Sequence, residues 1–174
     1  MLEVIRSKGI WKDSLNWKGL ERLDMIREIR EDDFQMYMEL TKEFYESDAT
    51  DHPVPESYRE ATWKELMRSR EYASAYILEF GDEVAGYGLM SYTFSQEAGG
   101  MVAWIEEVYI RPRYRGRGLG REFFSYVDAV IAPKVMRLRL EVEPDNVRAK
   151  KLYRELGYKE LPYEQMLKEV QEVE

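Results

Sequence analysis

The apolar positions change period repeatedly along the chain, and each change marks a predicted element. Residues 26–30 predict a short strand, ended by Glu31, Asp32 and Asp33, which supply a cap and first-turn acids for a helix. Phe34, Tyr37, Met38, Thr41 and Phe44 then hold one helical face through Glu46. Residues 47–55 read as a loop, and Pro55 suits the first turn of a second helix in which Tyr58, Thr62 and Leu66 recur four apart. Strand formers fill 74–80. Gly81-Asp82 turns the chain into a hairpin with 84–94, and Gly99-Gly100 turns it again into 101–110. Leu119, Phe123, Val127 and Ile131 line one face of a helix, and 136–142 alternate strictly, as a half-buried strand does. Residues 146–156 form a helix closed by Gly157, and 158–163 and 165–170 are expected as final strands. Hairpins followed by strand–helix–strand–helix–strand predict an α/β fold: a mixed, mostly antiparallel sheet of six or seven strands with helices on both faces.

The first 24 residues break this regularity, because Gly9 and Gly19 interrupt the weak helical pattern of Val4, Trp11, Leu15, Leu20 and Leu23. Residues 1–24 therefore read as an N-terminal extension, either non-native sequence or a docking arm, ahead of one domain at 25–174. Composition narrows the chemistry. The 174 residues contain no cysteine, which excludes disulfides, thiolate nucleophiles and Cys-ligated zinc. A single histidine, His52, leaves no two-His metal site, so no metal is expected; as a lone loop residue, His52 reads as incidental or as a substrate contact. The net charge is −8, yet the segment from Arg111 to Arg121 carries five arginines and no acid. A small basic island on an acidic body suits a small polyanion better than a nucleic acid. No apolar run approaches the ~20 residues of a membrane span, and a cytoplasmic protein without membrane or nucleic-acid partners is expected.

That island lies between a predicted strand and a predicted helix. Gly116, Gly118 and Gly120 at alternate positions let the backbone curl so that several N–H groups converge, and the helix N-terminus adds its own unpaired N–H groups. Together with the arginines they describe a site for a pyrophosphate. A Walker loop is excluded, for no Gly-Lys-Ser/Thr follows. A dinucleotide fingerprint fits poorly, although Glu141 stands where a ribose acid belongs, because the glycine spacing is wrong and Arg111 to Arg115 intervene after the strand. An RGG-type RNA segment would sit in low-complexity sequence rather than between strongly periodic elements.

The spacing Arg115-x-x-Gly118-x-Gly120 resembles the acetyl-CoA signature of the GNAT superfamily of N-acetyltransferases. The preceding Ile105-Glu-Glu-Val-Tyr-Ile110 is similar to the strand leading into it. Asn146-x-x-Ala149-x-x-Leu152-Tyr153-x-x-x-Gly157-Tyr158 resembles the family's second motif. The resemblance covers Met25 to about Val170. It implies strands that splay apart at the cofactor site. It also implies that Arg115, Gly116, Arg117, Gly118, Leu119, Gly120 and Arg121 hold the pyrophosphate of acetyl-CoA, that backbone groups of Val108 and Ile110 pair with the pantetheine arm, and that Asn146 contacts it. Unpaired strand N–H and C=O groups can accept such an amide-bearing arm.

Acyl transfer to an amine needs a neutral amine, a polarised carbonyl and a stabilised thiolate. A lysine-like amine of pKa ~10.4 costs about 4–5 kcal/mol to deprotonate at pH 7, so a base or a proton-accepting water chain is useful. Glu106 and Glu107 lie side by side in an otherwise apolar strand, an expensive place for carboxylates. The resemblance favours Glu106 as base through water, with Glu107 the alternative; a strand-edge acid serving an arginine is the plain structural reading of either. Val108 N–H is the expected oxyanion donor. Tyr153 matches the family's general acid, against a reading as helix core packing. Tyr37, Tyr92, Phe94 and Trp104 either line the acceptor pocket or belong to the core. The expected reaction is direct transfer, in a ternary complex, from acetyl-CoA to a small cationic amine of polyamine or aminoglycoside type. A protein or peptide amine acetyltransferase and a non-catalytic acetyl-CoA sensor are the alternatives, and a homodimer is left open.

Overall fold

The computed structural model describes residues 25–47, 53–168 and 170. The expectations for residues 1–24 and for His52 lie outside the described residues. The described residues group into two compact units, one ending at Glu141 and one beginning at Val142.

The first unit is built on a five-stranded sheet of order β1-β2-β3-β4-β5. Its strands are β1 (Ile26–Glu28), β2 (Ala73–Phe80), β3 (Glu83–Ser95), β4 (Gly100–Ile110) and β5 (Arg137–Leu140). The first four pair antiparallel, and β5 runs parallel to β4. Helices α1 (Phe34–Tyr45) and α2 (Glu56–Arg68) pack on one face, and α3 (Leu119–Tyr126) packs on the other. The sheet thus has five strands rather than six or seven. Residues 158–168 form no strand: Pro162 cannot donate to a ladder, and Leu161, Tyr163, Met166 and Leu167 are exposed with no strand alongside among the described residues.

Alternation along the strands assigns the faces. Ala75, Ile77 and Tyr87 join Tyr37 and Leu40 of α1 and Leu66 of α2 in one buried cluster. Ser74, Tyr76 and Gly88 point the other way. There a Cβ built on Gly88 would lie 2.4 Å from the buried ring of Phe123, so α3 seats its aromatic ring directly against the strand backbone. Leu119, Phe123, Val127 and Ile131, the predicted stripe, are all buried, although the helix loosens into a π-turn over Val127–Ile131. Before α1, Asp33 accepts from Arg30 N–H at 2.7 Å and holds the Arg27 guanidinium through two bonds of 2.7 and 2.8 Å. Arg27, the largest cause, keeps the Asp33 carboxyl below its ordinary range.

The second unit contains α4 (Val147–Glu155). Asn146 caps it, its side chain accepting from Ala149 N–H at 3.0 Å. At the other end Tyr158 N–H donates to Tyr153 C=O at 2.9 Å and Gly157 N–H to Arg154 C=O at 3.1 Å, with Gly157 at φ +89°. This is a Schellman closure, and the rings of Tyr153 and Tyr158 pack across it at 6.1 Å between centroids.

Candidate active site

The centre of interest is a one-residue irregularity in β4. Leu89 pairs with Glu107 but Met90 pairs with Ile105, so Glu106 is an extra residue, a β-bulge. In a regular strand Glu106 and Glu107 would point to opposite faces. Instead Tyr87 donates to the Glu107 carboxylate and Ser91 to Glu106, and Tyr87 and Ser91 lie four apart on the same face of β3. The bulge therefore turns both carboxylates toward the α1 side.

Their surroundings differ. Glu106 is exposed and, among the described residues, bound by the Ser91 hydroxyl alone. Glu107 also accepts from Tyr45, at the last turn of α1. Burial raises the Glu107 pKa above the ordinary carboxyl value; the two phenol bonds pull it back, and the Glu106 charge pushes it further up. The same burial, with the Glu107 charge, raises the Tyr45 and Tyr87 phenols, so both remain donors at neutral pH. Sequence reasoning missed Tyr45, Tyr87 and Ser91: the signal for Tyr87 and Ser91 is the register of β3 against β4, and that for Tyr45 is the packing of α1 on the sheet.

Just past the bulge the sheet opens. Pairing between β4 and β5 runs from Val102↔Arg137 to Ile105↔Leu140 and stops, while β4 continues to Ile110. Arg111 N–H donates to Ala85 C=O at 2.9 Å, which fixes the alternation of the antiparallel ladder. Glu107 and Tyr109 direct their backbone polar groups to β3; Val108 and Ile110 direct theirs away, into the opening. The Ile110 carbonyl receives Arg115 Nε at 2.9 Å.

The glycine loop follows. Gly116 (φ +79°) and Gly118 (φ +90°) take left-handed conformations that a Cβ would strain, and the space beside each is open. Among the described residues, the N–H groups of Gly116, Arg117, Gly118, Leu119 and Gly120 have no hydrogen-bond acceptor, whereas that of Arg115 donates to Pro112 C=O at 3.2 Å. Gly118 also begins α3, which adds the positive end of the helix dipole. Unsatisfied amides at a glycine-curled helix start fit the pyrophosphate of acetyl-CoA, and the open edge of β4 fits its pantetheine amides.

The five arginines do not act together. Arg111 is drawn out of the island by Glu43 of α1, at 2.7 to 3.1 Å, and by Glu39 at 3.0 Å. Arg117 lies over the Phe80 ring at 4.9 Å, and Arg113 over Tyr114 at 4.8 Å. Arg121 is exposed in the first turn of α3. Of the aromatic candidates, Tyr37 is core, Tyr92 bonds to Ser74 at 2.7 Å, Phe94 is exposed, and Trp104 lies on the same face as the carboxylates. Asn146 and Tyr153 belong to the second unit; burial raises the Tyr153 phenol, which stays protonated at neutral pH.

Residues 24–158 match the model of the acetyltransferase (GNAT) family. The thialysine N-epsilon-acetyltransferase of Bos taurus is 31% identical over 146 residues, spanning 79% of this chain and 85% of that protein. Among solved structures, a possible acetyltransferase from Clostridium difficile 630 superposes with a TM-score of 0.71 at 25% identity, covering 84% of this chain and 97% of that one. AAC(6')-Iy, in complex with a bisubstrate analog, CoA-S-monomethyl-acetylneamine, superposes with a TM-score of 0.69 at 16% identity, a likeness of fold over 83% of this chain and 96% of that one.

Proposed function

This chain belongs to the GNAT acetyltransferase family and is an acyltransferase, and from that premise we propose that it moves acetyl from acetyl-CoA to a small cationic primary amine by direct transfer in a ternary complex. The observation that carries the reading is the junction in β4, where a carboxylate pair, an unpaired strand edge and a loop of open amides follow one another within fifteen residues, from Glu106 to Gly120. Relatives named for acting on thialysine and a fold neighbour complexed with an acetylneamine analog agree with a small amine acceptor.

In this reading the amides of Gly116 to Gly120, with Arg115 and Arg121, bind the pyrophosphate, and Val108 and Ile110 align the pantetheine arm. Acetyl-CoA supplies the thioester. The Val108 N–H, fixed by the strand, faces the oxygen on which negative charge develops. Glu106 and Glu107 attract the incoming ammonium and hold the proton it gives up. Glu106, the carboxylate open to water, receives it, with Glu107 the alternative. Tyr153, carried over from the second motif, is the proton donor to the departing thiolate, and burial keeps its phenol protonated at neutral pH until it is needed. Asn146 is assigned to the pantetheine arm beside its capping role.

A panel of polyamines, aminoglycosides and diamino acids, assayed with acetyl-CoA by release of free thiol, tests the reading. Turnover of at least one small amine is expected, with Tyr153→Phe lowering kcat about 10²-fold or more while acetyl-CoA still raises the melting temperature. Thiol release from none of the panel, with acetyl-CoA bound, would replace the enzyme by a sensor.

A further inference from the structure

The two carboxylates of the bulge are adjacent in sequence and unlike in what they can do. Each oxygen of Glu107 meets its own phenol: Tyr45 of α1 donates to Oε1 and Tyr87 of β3 donates to Oε2. Glu106 accepts from the Ser91 hydroxyl on one oxygen, and its other oxygen has no protein partner among the described residues. Neither phenol is loose. The Tyr87 ring is fully buried and boxed by Tyr37, Phe44 and Tyr109, with centroids 6.1 to 6.3 Å away. The Tyr45 ring packs edge-on against the same Phe44 at 5.0 Å, so one residue steadies both donors.

A carboxyl group between two donors has little freedom. An acid proton needs an acceptor, and both oxygens of Glu107 face O–H groups instead. The Tyr87 hydroxyl has no other acceptor among the described residues to which it could turn. Protonation would also reduce two charge-assisted bonds to ordinary ones, roughly half as strong. Glu106 would weaken one such bond, and its second oxygen is open to water and to a ligand. The other ionisable groups turned toward this carboxylate are the buried Tyr37 of α1 and, behind it, Arg59 of α2, which donates to Met38 C=O at 2.8 Å. Among the described residues no cation pairs with Glu106 or Glu107, so their charge is left for the ammonium of the acceptor.

We propose that Tyr45 and Tyr87 are positioning residues that keep Glu107 a fixed anion, so that Glu107 holds the charge of the acceptor amine and Glu106 alone takes its proton. This rests on the acetyltransferase reading and divides the labour within it. An N–H bond of the ammonium breaks, its proton passes to a Glu106 oxygen directly or through one water, and the freed electron pair attacks the thioester carbonyl. The thiolate that leaves is protonated by Tyr153.

Steady-state kinetics at about pH 6 and about pH 8.5 test this, with saturating acetyl-CoA and an amine of the panel whose pKa is near 10, cationic at both. Glu106→Gln is expected to lower kcat about 10²-fold with little change in the KM for the amine. Glu107→Gln is expected to raise that KM about 10-fold at both pH values, with a much smaller fall in kcat. Tyr45→Phe and Tyr87→Phe each remove a bond that favours the ionised Glu107. Each should therefore resemble Glu107→Gln at the lower pH and return to within about 2-fold of the wild-type KM at the higher one, where the carboxylate forms again. A merely structural defect would persist at both. Tyr87→Phe added to Glu107→Gln should change the KM by less than about 2-fold. Equal losses of kcat in Glu106→Gln and Glu107→Gln would overturn the division of labour. A KM that does not vary with pH in either phenol variant would overturn the positioning role, and in both cases the acetyltransferase reading stands. Thiol release with no cationic amine would overturn that underlying reading, and this inference with it.

Discussion

Alternate residues of the same strands make two unlike faces. Toward α3 the sheet presents Tyr76, Gly88 and Met90, packed against Phe123, Tyr126 and their neighbours, and the hydroxyls of Ser74 and Tyr92 are satisfied by each other. Toward α1 it presents an apolar cluster at one end and Glu107, Glu106, Trp104 and Arg139 along the rest. One face is filled by packed rings and by hydroxyls bonded to one another. The other holds Glu107, Glu106 and Arg139, tied to phenols, a hydroxyl and a ring in turn. The buried charges of this sheet are met by specific partners from a neighbouring element, as α1 brings Tyr45 to Glu107 and Glu43 to Arg111.

The contrast can be broken most severely from the packed side. Gly88→Val puts atoms where the Phe123 ring already lies, and a stability loss of about 3 kcal/mol is expected, read as a lower urea midpoint with an unchanged slope. A second measurement sharpens the polar side. The Glu107 pKa is higher in the folded protein than in the unfolded chain, so the native state binds more protons in the interval between the two values. Stability contributed by this group is complete below the ordinary carboxyl pKa and is lost as pH rises through the folded value. Thermal unfolding across that interval should show wild type losing stability with rising pH and Glu107→Gln following a flatter course; parallel curves would mean that Glu107 is not the desolvated group. The smallest effect belongs to Ser91→Ala. It removes a bond to an exposed carboxylate and should change stability by no more than about 0.5 kcal/mol, by the same urea titration.

How much of this could be read from the chain follows from the range of the interactions involved. Hairpins, the α3 stripe and the Asn146 cap are local, set by residues within a few positions of one another, and they formed where periodicity and turn residues put them. The glycine curl was legible for the same reason. The final strands were not, because a strand exists only with a neighbour to pair with, and alternation in 158–163 and 165–170 says nothing about whether one is at hand. The phenols on Glu107 were hidden too: Tyr45 and Tyr87 are 62 and 20 residues away from it, and only the fold brings them there. Five clustered arginines in sequence suggested one anion site, yet Arg111 is claimed by α1, a competition that adjacency along the chain cannot reveal.

The single supernumerary residue at Glu106 carries a lesson for anyone wishing to transplant this chemistry. Grafting a Glu-Glu pair onto an evenly paired strand of another scaffold would split the two acids between opposite layers, one facing each helix. The insertion has to travel with the side chains, and deleting one position from β4 should uncouple the pair as thoroughly as mutating either acid.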